Sequence, residues 1–184
     1  MNRDNTFKDV VKTRKVVCHA LMDDGTIPNN EKLPLLVYQG ALELPEHNPA
    51  AIIEALFEAN QWSGCWRNGV YGFHHYHSTA HEVLGVYSGT ARVQFGGEKG
   101  VILSVERGDV VIIPAGVAHN NLGASQDFRV VGAYPLGQRA DLNDGKSGER
   151  PQADENIAHV ALPELDPVYG AESPLTNYWM GQGE

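Results

Sequence analysis

Short runs of β-branched and aromatic residues, broken every several positions by Gly, Pro or Asn, fill this chain from Trp66 to Pro135. ARVQF (91–95), VILSV (101–105), DVVII (109–113) and FRVVGAY (128–134) each read as a strand of a small antiparallel sandwich or barrel. Upstream, residues 1–47 read as a strand-rich approach in which LLVYQGAL (35–42) is the clearest strand. Between the two regions, Asn48-Pro49 reads as an N-cap followed by a first-turn proline. Ile52, Ile53, Leu56 and Phe57 then recur on one helical face with Glu54, Glu58 and Gln61 off it. The pattern predicts an amphipathic helix near 49–61 that covers the barrel by core packing. Past Leu136 it dissolves into GQRADLNDGKSGERPQADEN, which reads as an exposed loop or partly ordered linker. The tail from Ile157 to Trp179 regains apolar content but has three prolines and no period. It reads as an extended arm packed along the barrel by Tyr169, Leu175, Tyr178 and Trp179, or alternatively as a lid or dimer clasp.

These boundaries fit one domain over residues 1–184: an N-terminal part (1–65), a barrel core (66–135) and a loop with C-terminal arm (136–184). The chain is 42% hydrophobic, yet no run approaches the roughly 18 apolar residues of a membrane span. A formal charge of −9 with scattered Lys and Arg disfavours nucleic acid and leaves a small molecule as the expected partner. No helix-turn-helix pattern accompanies the barrel. The opening residues MNRDNTFKDVVKTRK contain no apolar h-region, which argues against secretion. Cys18 and Cys65 form neither a framework nor a CxxC pair, so reduced thiols in a cytoplasmic setting are the expectation.

Chemistry concentrates in GVYGFHHYHSTAHEVLGVYSG, Gly69 to Gly89, where four of the eight histidines lie between residues 74 and 81. On a strand, His75 and His77 share a face with imidazoles roughly 6 to 7 Å apart along the backbone. Ser78 to His81 can turn the chain, so that Glu82 opens a returning strand beside them. In GDVVIIPAGVAHNNLG, Gly108 to Gly123, the Pro114-Ala115-Gly116 turn ends a buried strand and His119 is the first polar group of the next. His75, His77, Glu82 and His119 together make a donor set for a divalent transition metal. His74 has the wrong parity and His81 sits in the turn, so both read as groups behind the donors or at the surface, with His81 in place of Glu82 the rival assignment. His19, His47 and His159 lack a partner at ligand spacing and read as ordinary histidines.

Both segments resemble the two signature motifs of the cupin superfamily. Gly69, His75, His77, Glu82 and Gly89 meet every fixed position of the first. Gly108, Pro114, Gly116 and His119 meet the second, whose usual final Asn is replaced by Gly123, with Asn120 or Asn121 available to supply the missing hydrogen bond. The tail, with its DPVYG, Pro174-Leu175 and Trp179, is similar to that of uncharacterised bacterial single-domain cupins. The resemblance implies an all-β, double-stranded β-helix (jelly-roll) barrel with one N-terminal helix and extended terminal arms. It also implies a homodimer joined through sheet edges and exchanged arms.

Three neutral imidazoles and one carboxylate leave a divalent ion with a net charge of about +1, which favours an anionic or enolisable oxygen ligand. Iron, manganese, nickel, zinc, cobalt and copper all suit such donors. Tyr71 and Phe73 share parity with His75 and are candidates to line the pocket, while Arg92 and Arg129 are candidates to hold a substrate carboxylate. Two readings stay open: a metal-dependent dioxygenase or isomerase acting on a small oxygenated acid, ketone or sugar, and a non-catalytic binding or accessory protein with a structural metal. No further His or carboxylate stands at an identifiable general-base position, which weighs against the isomerase.

Overall fold

The computed structural model describes residues 7–13, 15–171 and 173–181. In chain order the elements are β1 (Lys15–Leu21), β2 (Asn30–Gln39), α1 (Pro49–Ala59), β3 (Trp62–Asn68), β4 (Glu82–Ser88), β5 (Thr90–Phe95), β6 (Val101–Glu106), β7 (Val110–Ile113), β8 (His119–Ala124), β9 (Arg129–Pro135), α2 (Gln152–His159) and α3 (Pro174–Trp179). A six-stranded sheet in the order β1-β2-β7-β4-β9-β3 faces a three-stranded sheet in the order β6-β5-β8, with every pairing antiparallel. This two-sheet barrel is the jelly roll expected from the motifs. Any arm within residues 1–6 lies outside the described residues.

The inner strands of the large sheet are buried on both faces, and their period-2 alternation sorts side chains between two cores. Leu35, Val37, Leu84, Val111, Ile113 and Val130 point into the barrel against Val93, Phe95 and Val105 of the small sheet. Their neighbours Leu36, Tyr38, Val83, Ile112, Val131 and Ala133 point outward beneath α1 and α3. The run VVII is apolar throughout because both of its faces are covered.

α1 presents Ile53, Leu56 and Phe57 to the outer core. Gly85 of β4 admits it closely, since a Cβ there would stand 2.8 Å from Ile53 Cγ2. Asn48 does occupy the N-cap position, but in the left-handed region at φ 53 and with no side-chain cap bond. The helix start therefore rests on Pro49 and on apolar packing.

The C-terminal third departs from expectation in its helices. Residues 139–149 form a loop held against the barrel: Tyr76 and Asn143 exchange backbone hydrogen bonds at 2.9 and 3.0 Å, and Glu149 accepts from the Tyr76 hydroxyl at 2.8 Å. Residues 152–155 begin α2. The tail is also not wholly extended, because Ser173 caps the short α3 by accepting from the Thr176 amide. Leu175 and Trp179 pack as expected, but Tyr178 is exposed. The tail is anchored instead by buried Asp166, whose carboxylate accepts from the Tyr38 hydroxyl at 2.6 Å and from the amides of Val168 and Tyr169.

Candidate metal centre

The site forms where the two sheets meet. Glu82 opens β4 opposite Ile113, and His119 opens β8 opposite Phe95. His75 does not lie on a regular strand. It forms an isolated bridge to His119, their backbones exchanging hydrogen bonds at 3.3 and 2.9 Å, so the first motif is pinned directly to the second. His77 is fixed by its carbonyl, which accepts from the Gly116 amide at 2.8 Å within the Pro114-Ala115-Gly116 turn.

This scaffold brings His75, His77 and His119 together with ligand atoms all within 4.8 Å of one another. Glu82 Oε2 lies 3.4 Å from His77 Nε2 and 3.2 Å from His119 Nε2. Each ring is turned the same way. His75 Nδ1 meets the Phe73 carbonyl at 3.1 Å, His77 Nδ1 meets the Asp141 carbonyl, and His119 Nδ1 meets the Val117 carbonyl at 3.5 Å. A carbonyl can only accept, so these partners assign the ring proton to Nδ1 and leave Nε2 as a bare donor of electrons.

The electrostatics follow from that arrangement. Burial, reinforced by His119, pushes the His75 imidazole down to about 3. Burial also disfavours charge on His77, but the adjacent Glu82 carboxylate more than offsets it and the ring is held above the usual histidine range. Glu82 itself is fully buried, which alone would raise it, yet His119 and His77 hold it below the usual carboxylate range.

His81 is not a donor here. It is buried, its Nδ1 accepts from the Ala115 amide at 2.9 Å, and its ring packs on Trp179. His74 is half-buried and stands outside the cluster. Asn121 fills the role left by Gly123, its Oδ1 accepting from the Gly123 amide at 2.9 Å.

The four groups open onto a cleft of about 430 Å³ walled by Trp66, Val70, Tyr71, Leu84, Tyr134 and Leu142. Tyr71 stands on its wall. Phe73 does not: it stacks on Tyr71 outside the cleft and is 45% exposed. Arg92 and Arg129 are corrected as well, because both are exposed and face away from the cleft. Arg92 alternates with buried Ala91 and Val93 and so points outward, while Arg129 donates to the Gln126 and Phe128 carbonyls. The arginine at the cleft is Arg67, whose fork is taken by Glu54 through two bonds of 2.6 Å.

Sequence reading missed Trp66, Tyr134 and Asp141. Tyr134 was recoverable, since it shares barrel-facing parity with Val130 on β9. Its hydroxyl accepts from Trp66 Nε1 at 3.0 Å, and burial together with the Glu82 charge pushes it up to about 12.

Fold and cluster together define a jelly-roll β protein with a buried histidine-rich centre. Residues 67–133 match the Cupin family profile. The uncharacterised protein YjlB of Bacillus subtilis (strain 168) is 42% identical over 167 residues, covering 91% of this chain and 98% of that one. The chain belongs to the cupin superfamily. Among solved structures it is similar to procruciferin, the 11S globulin of Brassica napus, at 19% identity and a TM-score of 0.40, covering 77% of this chain and 37% of that one. A DUF861-family protein of Thermotoga maritima shares 23% identity at a TM-score of 0.30, covering 51% of this chain and 94% of that one.

Proposed function

We propose that this protein is a metal-dependent enzyme in which His75, His77, Glu82 and His119 hold one divalent transition-metal ion, and that it oxidises a small oxygen-bearing organic molecule with dioxygen. One observation carries the metal reading. Glu82 Oε2 is buried with no hydrogen-bond partner, 3.4 and 3.2 Å from the Nε2 atoms of His77 and His119, whose Nδ1 atoms face carbonyls. Lone pairs gathered in a dry space call for positive charge among them: a proton on His77 supplies part of it, which is why that ring is held above its usual range, and a cation shared among the donors supplies it for all of them. Bound there, such an ion supplies a Lewis-acid centre and, for a redox metal, electron exchange with oxygen.

The surrounding residues support oxidation over isomerisation. Proton-shuttling isomerisation needs a base within reach of substrate carbon. Asp141, the carboxylate at the cleft besides Glu82, already accepts from Ser78 N, Ser78 Oγ, Thr79 N and Asn143 Nδ2; burial would raise it, but the Ser78, Asn143 and Thr79 side chains and the Ser78 amide hold it below the usual carboxylate range. Tyr134 keeps its proton at neutral pH and acts as a donor. The aromatic and aliphatic walls suit a substrate with an apolar body, its oxygens directed at the donors and at the Tyr134 hydroxyl.

The test begins with purified protein stripped with chelator and reloaded anaerobically with iron(II). One ion per chain is expected, falling to none in His77→Ala, together with substrate-dependent oxygen uptake for some member of a panel of diketones, catechols and thiols. A chain that retains iron and binds panel members tightly without consuming oxygen is a binding protein. A chain that takes up no ion overturns the metal reading itself.

A further inference from the structure

The segment following β9 does more than wall the cleft. Its residue Asp141 places its backbone carbonyl on His77 Nδ1 and wraps its carboxylate around the turn that follows His77. Asp141 Oδ1 accepts from the Ser78 amide at 2.6 Å and the Thr79 amide at 3.3 Å, while Oδ2 accepts from the Ser78 hydroxyl and from Asn143 Nδ2 at 2.8 Å. The Thr79 hydroxyl closes the loop, donating to the Arg139 carbonyl at 2.7 Å and accepting from the Asp141 amide at 3.1 Å. Asn156 of α2 reaches the Ser78 hydroxyl as well, at 2.9 Å.

The three histidines differ in how this is done. His75 and His119 find their Nδ1 acceptors two residues back along their own chain, at Phe73 and Val117. His77 takes its acceptor from a residue 64 positions away. The orientation of that one ring therefore depends on a distant segment being held in place.

We propose that Asp141 is the positioning residue for His77: its carboxylate clamps the Ser78-Thr79 turn so that its own carbonyl fixes the Nδ1–H tautomer and aims Nε2 at Glu82. The effect on metal affinity rests on the metal reading above, but the tautomer does not. Removing the carboxylate leaves the carbonyl in the chain and releases what holds it there. Partners that orient a metal-binding imidazole are worth about 10- to 100-fold in metal affinity.

The experiment uses the full chain, free of metal and labelled with ¹⁵N at histidine. Long-range ¹H–¹⁵N spectra read the tautomer of each ring, and manganese(II) titration followed by electron paramagnetic resonance reads affinity. Spectra are recorded at a pH high enough to leave His77 neutral, and wild type should then show its single proton on Nδ1. Asp141→Ala should shift that population toward Nε2–H, leave His75 and His119 unchanged, and weaken manganese binding about 10- to 100-fold. Asp141→Asn, which still accepts from the Ser78 amide, should fall between the two and guards against a variant that merely misfolds. Glu149→Gln loosens the same segment at its other anchor and should leave the His77 tautomer alone. An unchanged His77 tautomer in Asp141→Ala, or an equal shift in Glu149→Gln, overturns the assignment. If wild type binds no manganese while the tautomer shifts as expected, the positioning role stands and the metal reading fails.

Discussion

A Cβ added to Gly132 would stand 2.1 Å from Trp66 Cζ2, so the indole that walls the cleft lies on a position that must have no side chain. Gly132→Ala should cost about 1–3 kcal/mol by overpacking and push the indole toward the histidines. Urea denaturation checks the first effect, and a wild-type midpoint would refute it. Cys65 offers a separate check on local environment. Burial, and then the Glu58 and Glu54 charges, push its thiol up to about 11, whereas Cys18 is exposed. A raised thiol pKa means less thiolate at a given pH. In Cys18→Ser, modification of Cys65 by a thiol reagent should therefore be slow at pH 8 and quicken about tenfold per pH unit toward 11. A rate that plateaus near pH 9 would contradict that environment. At this scale the sequence was informative for Glu82 and His119, which sit at strand starts and face inward, while the parity that turns Arg92 outward went unused and left it a pocket candidate. Asp141 was not legible, because its role is written in hydrogen bonds to residues over 60 positions away.

Among the elements, the strands over 91–95, 101–105 and 109–113 coincide with β5, β6 and β7 to within a residue or two, because turn glycines bound them and β-branched residues fill them. The regions that escaped are those with little apolar period. The histidine stretch of the first motif folds as isolated bridges at His75 and Tyr76, and residues 139–149 are ordered by polar contacts that leave no hydrophobic signature. The tail shows the same economy: Asp166 ties α3 and the preceding turn to β2 through Tyr38, both side chains fully buried. Tyr38→Phe should cost about 1–3 kcal/mol, since it leaves a buried carboxylate oxygen short of its strongest donor. Manganese affinity should remain within about twofold, because the pair lies on the outer face of the sheet, away from the cleft. A large loss of affinity with little loss of stability would reverse that separation.

For the molecule as a whole, the donors come from both sheets: Glu82 from the six-stranded one, His119 from the three-stranded one. An ion bound by both favours the closed sandwich over the unfolded chain. At a free concentration about 100 times its dissociation constant, manganese should add about 2.7 kcal/mol, a rise of roughly 5–10 °C in melting temperature. Differential scanning fluorimetry with manganese against chelator reads this directly. The rise should shrink as pH falls through the raised His77 range, where a proton competes for the Nε2 that the ion requires bare, while His75, pushed down to about 3, takes no proton until far lower. A melting temperature indifferent to the ion from pH 8 to 5 would count against histidine ligation.

The Cupin profile ends at residue 133, just short of the end of β9, yet the cleft takes Ala140, Asp141 and Leu142 as part of its wall. Anyone grafting this barrel onto another scaffold by cutting at that border would transplant all four donors and leave behind the piece that steers one of them. The portable module is longer than its signature, and hybrids should be spliced beyond α2.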